Sequence, residues 1–555
     1  MNGFRPLPAL EPLTEPFWRA CRQGTLQFLR CTRCARYLHP PRPVCPRCRE
    51  SSLQWTPVSG RGRVHSFTVN HKAWYPGQNV PYVIALVELA EQEDLRLTTN
   101  IVGCSPDQVR IGLPVRVRFE TLSDEIALPL FEPASGEDED RAGEGRSDAV
   151  AQEPVPHVAV ARSEADYVER RAVISGVGQS AIGRRLFRDD LDLTCEAALA
   201  ALQDAGLDAA DIDGIAAYPG PGQAAPGFTG PSIYEVQDAL GLRVRWHLAG
   251  LEGPGQIMPL VAAALAVGAG LCRHALVYRT VTEATAAANI GRQGIGVGSP
   301  TISGFAAWLV PFGAMSAANW IALYTRRHMH RYGTTRQHLG AVALSEREYA
   351  QRNPAAVYRD PLNWDDYWQA RMISDPFCLY DCDAPVDGST AIIVSHRDCV
   401  RDLRKPAARI EAVGTALYHR PVWDQWPDLT TMAAHDAAQH LWSRTALRPQ
   451  DVDTAQLYDG FSFLALAWLE ALGFCAPGES GPFVLEGNTR LGGRLPMNTW
   501  GGQLSGGRLH GFGFVAEAVR QLRGECGARQ VPECEVAAVG VGGGPVAGCL
   551  LLTRG

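Results

Sequence analysis

Four cysteines near the N-terminus have the spacing of metal ligands. Cys31 and Cys34 form one C-x-x-C pair, and Cys45 and Cys48 form a second pair ten residues later. Two such pairs can place four thiolates around one tetrahedral ion, whereas redox motifs do not usually come as two matched pairs. Because protein thiolates would fill every position around a bound Zn²⁺, the pattern predicts a structural zinc site rather than a catalytic one.

The composition is that of a globular protein, with 46% hydrophobic and 20% charged residues among 555. The formal net charge is −7 and there is no sustained basic block, so we expect no nucleic-acid partner and no anionic membrane partner. The longest strongly apolar run, residues 257–270, is too short for a membrane span and predicts a buried helix. No signal-peptide pattern occurs near the start, and we expect a cytoplasmic protein with reduced cysteines.

Residues 134–168 separate a shorter N-terminal region from a longer C-terminal region. They contain an acidic run at 137–140, small residues and prolines, and they show no apolar periodicity. Such a composition cannot bury enough apolar surface to offset the entropy lost on ordering. The segment is therefore predicted to be an acidic flexible linker.

The C-terminal region contains a faint internal duplication. A helix-like segment rich in alanine and leucine leads through a loop with two aspartates to an apolar strand that ends at Tyr218, and the same order of features ends at Tyr458. The copies stay in register from Leu207 and Leu447 onward. The pattern predicts two layered α/β halves, each with helices covering a mostly parallel sheet.

Short β-type runs at 62–69, 80–89, 95–101 and 114–121 follow the cysteine pairs and predict a small barrel. The segment CTRCARYLHPPRPVCPRC together with these runs resembles the zinc-ribbon and OB-fold family that accompanies acyl-CoA thiolase-like enzymes. Trp74 and Tyr75 lack the flanking basic groove with which OB-folds bind oligonucleotides. We expect them to pack internally or to contact the neighbouring domain.

Five later segments occur in a characteristic order: AVISGVGQSAI, FGAMSAANWIALYTRRHMHRYGTT, DCDAPVDGSTAIIV, LYDGFSFLALAWLEALGFC and NTWGGQLSGGRLHGFGFVAEAVRQLRGE. They resemble the lipid-transfer and sterol-carrier branch of the thiolase superfamily over roughly residues 170–555. The resemblance implies a duplicated thiolase fold, which is an α/β fold, preceded by the zinc ribbon and the OB-type barrel. The predicted units are an N-terminal helix and zinc ribbon (1–58), an OB-fold (59–133), the linker (134–168), a thiolase-like N-terminal half with a lid insertion (169–404) and a C-terminal half (405–555).

The same resemblance shows which thiolase residues are absent. The nucleophilic cysteine that precedes a buried small-residue helix in thiolases aligns with Gly253, and the second cysteine, before a G-G-G turn, aligns with Gly540. No cysteine occurs in 247–260 or 535–545, so a small shift of register restores neither. A glycine cannot form an acyl-enzyme.

Three other residues are implied to be catalytic. His510 matches the thiolase histidine that donates a hydrogen bond to the thioester carbonyl, and Tyr458 of Y-D-G-F stands where thiolases have the asparagine of N-E-A-F. Tyr380 precedes a glycine-containing turn that faces the same end of the sheet in thiolases. A tyrosine at 458 can donate a hydrogen bond or, if its pKa is lowered, exchange a proton; the alternative is a tyrosine packed at a strand end.

Thiolase-like steroid side-chain aldolases resemble this pattern, because they lack the nucleophile and rely on tyrosines. The second tyrosine of that pattern is not evident, and Arg508 occupies a plausible equivalent position. Cys378 and Cys382 are alternative nucleophiles, although such cysteines are more often small buried apolar residues.

These features predict an aldolase that cleaves or forms a 3-hydroxyacyl-CoA through an acyl-CoA enolate. The CoA is part of the substrate, and the zinc is structural. The alternatives are acyl transfer by a displaced cysteine and an acyl-CoA-binding scaffold without catalysis. The ribbon and barrel would shape the acyl-CoA entrance or dock a hydratase that supplies the substrate, and the resemblance implies a homodimer through the thiolase-like part.

Overall fold

The computed structural model describes residues 5–75, 77–134, 167–220, 226–250, 252–291, 299–419 and 422–555. Most of the predicted linker, from 135 to 166, lies outside the described residues. The described chain contains a zinc ribbon, a small barrel and a nine-stranded sheet covered by helices, as the sequence predicted. The boundaries proposed for the five units remain predictions.

The N-terminal module begins with a helix and a three-stranded antiparallel sheet. Its elements are β1 (Leu7–Pro8), α1 (Glu15–Arg22), β2 (Gln27–Cys31), β3 (Tyr37–Leu38) and β4 (Leu53–Pro57), with β2 at the centre of the sheet. Pro16 occupies the first turn of α1, where its missing N–H has no helical partner to lose. Phe17 and Trp18 form the buried face of α1 and pack into the core of the barrel.

Five strands form the barrel: β5 (Arg61–Asn70), β6 (Tyr82–Leu89), β7 (Arg96–Ile101), β8 (Pro114–Thr121) and β9 (Ala127–Pro133). Neighbouring strands follow the order β5-β6-β7-β9-β8, and pairing of Arg61 with Arg116 closes β5 onto β8. The sequence predicted the first four strands. It did not indicate β9, because Pro129 and Pro133 interrupt the β-type pattern.

The first half of the larger region carries a long insertion. It contains β10 (Ala172–Gln179), α2 (Asp190–Ala205), β11 (Gly214–Ala217), α3 (Ile233–Ala239), β12 (Trp246–Ala249), α4 (Met258–Gly268) and β13 (His274–Thr282). The insertion follows, with α5 (Glu283–Ile290), β14 (Thr301–Ile302), α6 (Ala317–Tyr332), α7 (Arg336–Gln351), α8 (Trp364–Gln369), β15 (Met372–Ser374) and β16 (Phe377–Cys378).

The remaining elements complete the second half of the region. They are β17 (Asp387–His396), β18 (Ala408–Thr415), α9 (Ala433–Ser443), β19 (Thr454–Leu457), α10 (Ser462–Ala471), α11 (Ser480–Leu485), α12 (Phe512–Arg523), β20 (Val536–Gly543) and β21 (Val546–Arg554). The nine strands run in the order β12-β11-β13-β17-β10-β18-β21-β20-β19. Most residues of α4 and α10 are buried, as predicted for the apolar run 257–270.

The prediction of a mostly parallel sheet was wrong. Only the pairs β11–β12, β11–β13 and β19–β20 are parallel, and the other described pairs of this sheet are antiparallel. One reason is local: only residues 544–545 separate β20 from β21, and so short a connection permits an antiparallel hairpin but no crossover.

The internal duplication is present in the structure. β11 and β19 each follow a short 3-10 turn, Ala209–Asp211 and Pro449–Asp451 respectively. Each strand is followed at once by a buried tyrosine, Tyr218 or Tyr458. The two tyrosines therefore occupy corresponding ends of the two halves.

The barrel is joined to the insertion by strand pairing and by buried polar groups. β15 extends the barrel sheet, with Ser374 opposite Asn70 on β5. The side-chain amide of Asn319, on α6, donates to Asn70 Oδ1 and to Ser374 Oγ, each at a distance of 3.0 Å. Because unsatisfied buried amides are costly, these bonds specify how the two parts pack together.

Among the described residues, no single helix has both the length and the apolar character needed to cross a membrane. One bent helix pair, Gly304–Phe312 with α6, meets that test by length and composition only.

Candidate active site and zinc cluster

The four predicted zinc ligands lie together. Their sulfur atoms are all within 4.8 Å of one another, with 3.5 Å between Cys31 and Cys48 and 3.6 Å between Cys34 and Cys45. Four thiolates bonded to one tetrahedral Zn²⁺ would be separated by about 3.8 Å, so the cluster fits the ion. A zinc ion held here has no open position and would act structurally.

Removal of zinc is expected to destabilise the N-terminal module, because its small cluster of apolar residues is built around these cysteines. Cys45→Ser should lower the zinc content below one ion per chain and lower the Tm, measured by metal analysis and calorimetry. Cys104→Ser, which alters a half-buried cysteine outside the cluster, is the control and should change neither. Full zinc content in the Cys45 variant would contradict the assignment.

His510 lies just before α12 in a left-handed backbone conformation, with φ of 48°. Non-glycine residues rarely adopt this conformation, so neighbouring contacts must compensate for its strain. One such contact is the His510 backbone N–H, which donates to Gln503 Oε1 over 3.0 Å. The imidazole is 6% exposed and packs edge-to-face on Phe228, with ring centroids 4.7 Å apart.

Both ring nitrogens of His510 are buried and have no hydrogen-bond partner among the described residues. Burial, together with the charges of Arg508 and Arg279, lowers the pKa of His510 well below its ordinary value. The ring is therefore neutral at neutral pH and keeps one N–H to donate. Such a donor suits a ligand oxygen on which negative charge develops.

Tyr458 follows β19, and its backbone N–H donates to Gly540 O over 2.8 Å. Its ring lies against Gly460, where an added Cβ would come within 2.7 Å of the phenol ring. Burial, and then the charge of Asp383, raises the pKa of Tyr458. The hydroxyl is therefore protonated at neutral pH, which favours a donor or relay role over a resting phenolate.

Arg508 occupies the centre of an ion-pair cluster next to these groups. Its guanidinium binds Glu283 and also lies 3.3 Å from an Asp383 oxygen. Although burial opposes it, the carboxylates of Asp383 and Glu283 raise the pKa of Arg508. Arg508 is thus a permanent cation, and it does not replace a tyrosine as a proton donor.

The structure places Tyr380 in different surroundings. Its ring lies 5.8 Å from the guanidinium carbon of Arg347, whose Nε donates to Ser505 Oγ over 2.8 Å. The interactions described for Tyr380 do not include His510 or Tyr458. His510 and Tyr458 both lie within reach of the charge of Arg508, and the roles of all three predicted catalytic residues remain predictions.

Two further side chains belong to the site and were missed from the sequence. Tyr218 is 9% exposed, and it lies near enough to Tyr458 to contribute, after burial and Asp383, to the raised pKa of Tyr458. The guanidinium of Arg279 stacks on Tyr218, with 5.3 Å from its carbon to the ring centroid. The duplication gave a signal for Tyr218, since it aligns with Tyr458, whereas nothing in the local sequence distinguishes Arg279 from other arginines.

Neither position of the absent cysteines has room for a side chain. A Cβ at Gly253 would lie 2.2 Å from Met258 Cγ, and one at Gly540 would lie 2.7 Å from the ring of Trp468. Of the alternative nucleophiles, Cys378 is fully buried, and burial raises the pKa of its thiol to about 12. Cys382 directs its Sγ to Cys378 O over 3.5 Å.

A buried pair of carboxyl groups lies against the turn that precedes His510. Glu346 and Asp459 are both 0% exposed, and both approach the α-carbon of Gly502. Asp459 accepts the backbone N–H of Gln503 and of Leu504, while Glu346 accepts the side-chain amide of Asn498 over 2.8 Å. Burial, and then the charge of Asp459, raises the pKa of Glu346 well above its ordinary value. Glu346 therefore keeps a proton that it shares with Asp459.

The free energy of unfolding of Glu346→Gln, relative to that of the wild-type protein, is expected to increase as the pH rises. Above the ordinary pKa of 4.5, the unfolded wild-type protein loses the proton that the folded protein keeps, so wild-type stability falls by about 1.4 kcal/mol per pH unit until the folded-state pKa is reached. A glutamine does not titrate and can still donate to Asp459. Denaturant unfolding at several pH values measures the difference.

Glu470→Gln is the matched control of opposite sign. Although burial opposes it, bonding to His328 lowers the pKa of Glu470. Its contribution to stability is therefore present above the unfolded-state pKa and is lost as the pH falls, so this variant should be destabilised most at neutral pH. The same pH trend in both variants would contradict the shared proton.

Comparison with known proteins assigns a class to each part of the chain. Family profiles match a ChsH2 rubredoxin-like zinc ribbon domain at 18–54, a ChsH2 C-terminal OB-fold domain at 55–120 and a thiolase C-terminal domain-like region at 414–550. A probable enoyl-CoA hydratase alpha subunit of Thermomonospora curvata is 40% identical over 140 residues, which are 25% of this chain and 43% of that protein.

The larger region matches aldolases and lyases. A steroid side-chain-cleaving aldolase of T. curvata is 35% identical over 64% of this chain and 90% of its own length. A 17-hydroxy-3-oxo-4-pregnene-20-carboxyl-CoA lyase of Mycobacterium tuberculosis is 33% identical over 64% and 92%. The solved Ltp2-ChsH2(DUF35) aldolase is 33% identical with a TM-score of 0.63, covering 70% of this chain and 99% of that chain. The chain therefore belongs to the thiolase-fold aldolase family of the steroid side-chain-cleaving aldolases.

Proposed function

We propose that this protein cleaves the Cα–Cβ bond of a 3-hydroxyacyl-CoA by a retro-aldol reaction without an acyl-cysteine intermediate. The observation that carries the proposal is the neutral, buried imidazole of His510, which has no partner in the described part of the chain and lies close to the cation of Arg508. A donor of this kind stabilises a thioester enolate, and the filled positions at Gly253 and Gly540 leave no thiolase nucleophile beside it.

The proton balance can be met by groups already in the site. The β-hydroxyl gives its proton to the Tyr458 hydroxyl as Tyr458 gives its own to Asp383, so the phenol stays neutral throughout. The Cα–Cβ electron pair moves onto the thioester, where His510 donates to the oxygen. The enolate then takes a proton at Cα, which restores Asp383. The products are a ketone or aldehyde and a shortened acyl-CoA, and the same groups support the reverse addition.

We propose a steroid-type acyl chain as the substrate tail. The lyase of M. tuberculosis is named for a 17-hydroxy, 20-carboxyl-CoA steroid, in which the hydroxyl is on the carbon β to the thioester. A panel of 3-hydroxyacyl-CoAs with steroid and simple tails, analysed by mass spectrometry, tests this assignment. Paired carbonyl and short acyl-CoA products support it, whereas an acyl-protein adduct without those products would favour acyl transfer by a displaced cysteine.

His510→Ala is expected to lower kcat by about 10²- to 10³-fold, since it removes an oxyanion donor, and Tyr458→Phe by about 10²- to 10⁴-fold, since it removes the proton relay. Steady-state release of the short acyl-CoA measures both. Tyr349→Phe is the control, because that buried hydroxyl donates to Thr489 O and should leave kcat unchanged. Full activity of both site variants would refute the mechanism, whereas acyl-CoA binding without turnover by the wild-type protein would favour a binding scaffold.

The N-terminal module is proposed to dock a hydratase that supplies the hydroxyacyl-CoA. The support is the 40% identity over 25% of this chain to a protein named as a probable enoyl-CoA hydratase alpha subunit, together with the two ChsH2 domains at 18–54 and 55–120. Co-elution with such a hydratase, and loss of co-elution in the zinc-depleted Cys45 variant, would support docking.

A homodimer is proposed through β12. This strand is the edge of the nine-stranded sheet and pairs with β11 on one side only among the described strands, while its residues are half-buried or exposed. An open strand edge can pair with a second copy. Light scattering should give the mass of two 60.1 kDa chains, and the mass of one chain would contradict the proposal.

A further inference from the structure

The guanidinium of Arg279 is a buried charge of which the fold uses only one side. Arg279 lies on β13 and is 0% exposed. Its Nη1 donates to the backbone oxygens of Phe228 (2.6 Å) and Thr280 (2.8 Å), with Tyr218 O at 3.5 Å. Its Nε and Nη2 are buried and have no hydrogen-bond partner within the described residues.

Leaving this edge without a partner is costly in a folded protein, because a desolvated guanidinium needs acceptors for its N–H groups. The two carboxylates nearby do not meet the need, since Glu283 and Asp383 both bind Arg508. Although burial lowers the pKa of Arg279 to about 10, the group remains charged at neutral pH. The bonds to the backbone oxygens of Tyr218 and Phe228 involve Nη1 alone, so among the described residues they do not account for the other edge.

The guanidinium of Arg279 shares a neighbour with the proposed oxyanion donor. The guanidinium carbon of Arg279 is 4.7 Å from the centroid of the Phe228 ring, and the ring of His510 packs on that same phenyl ring. The charge of Arg279 also contributes to the lowered pKa of His510. Arg279 and His510 therefore both pack on Phe228, and the charge of Arg279 is felt at the imidazole.

We propose that the Nε–Nη2 edge of Arg279 binds the two oxygens of a 3-hydroxyacyl thioester, its carbonyl and its β-hydroxyl, at the same time. The proposal rests on the function proposed above. Two parallel N–H groups on one guanidinium edge match two oxygens presented side by side, which a lysine ammonium does not. As the hydroxyl proton leaves through Tyr458 to Asp383 and the bond electrons reach the thioester oxygen, Arg279 keeps its proton and its charge faces both oxygens.

The test compares racemic 3-hydroxybutanoyl-CoA with butanoyl-CoA, which lacks the hydroxyl. Both are bound to the full-length His510→Ala protein, so that the hydroxyacyl ligand is not consumed, and Kd is measured by titration calorimetry. We expect the hydroxyacyl ligand to bind at least about tenfold more tightly. In H510A/R279K the preference should fall below about threefold, although the positive charge is retained.

Arg96→Lys in the same H510A background is the matched control. Arg96 is also buried and donates to two backbone oxygens, those of Trp426 and Pro427, but it lies in the barrel. Its substitution should leave the preference intact. The proposal is overturned if H510A protein binds the two ligands equally, a result that does not depend on whether the R279K variant folds. It is also overturned if folded H510A/R279K keeps the preference. The binding test does not depend on turnover. A protein that shows no aldolase activity can therefore still show or lack the binding preference, so the two failures are told apart.

Discussion

The proton shared by Glu346 and Asp459 is the interaction on which the candidate site depends. It lets two carboxyl groups occupy one buried place against Gly502, and Asp459 then accepts the backbone N–H groups of the following turn. That turn carries Gln503, whose side chain holds the backbone of His510 in its left-handed conformation. Since Asp459 directly follows Tyr458, one buried acid pair orients both candidate residues, His510 and Tyr458.

The two arginines near the candidate site, Arg508 and Arg279, are held by different kinds of partner. Arg508 takes both nearby carboxylates, so its own charge is compensated. Arg279 is held by backbone oxygens, which anchor it without neutralising it. The imidazole of His510 stays neutral because burial and both cations oppose its protonation and lower its pKa. A site of this kind favours negative charge that develops on a ligand and disfavours a protonated histidine.

Loss of the cysteines is a matter of packing as well as chemistry. Met258 and Trp468 fill the places where side chains at Gly253 and Gly540 would lie, so restoring a thiol would require these neighbours to move.

The barrel packs against the larger region: Arg96 donates to Trp426 O in the C-terminal half, and Asn70 bonds to α6. The N-terminal module therefore contacts the helix α6, which precedes the candidate site residues in the sequence.

By itself, the sequence determined the features that depend on local spacing or on a repeated pattern. These include the four zinc ligands, the buried helix α4, four of the five barrel strands and the candidates His510 and Tyr458. Only the tertiary structure decided that the sheet is mixed, that Tyr380 lies with Arg347, and that Arg279 shares Phe228 with His510. The physical reason is that these contacts join residues from tens of positions apart, as in Tyr380 and Arg347, to hundreds apart, as in Phe228 and His510. Sheet order and register, rather than local pattern, bring them together.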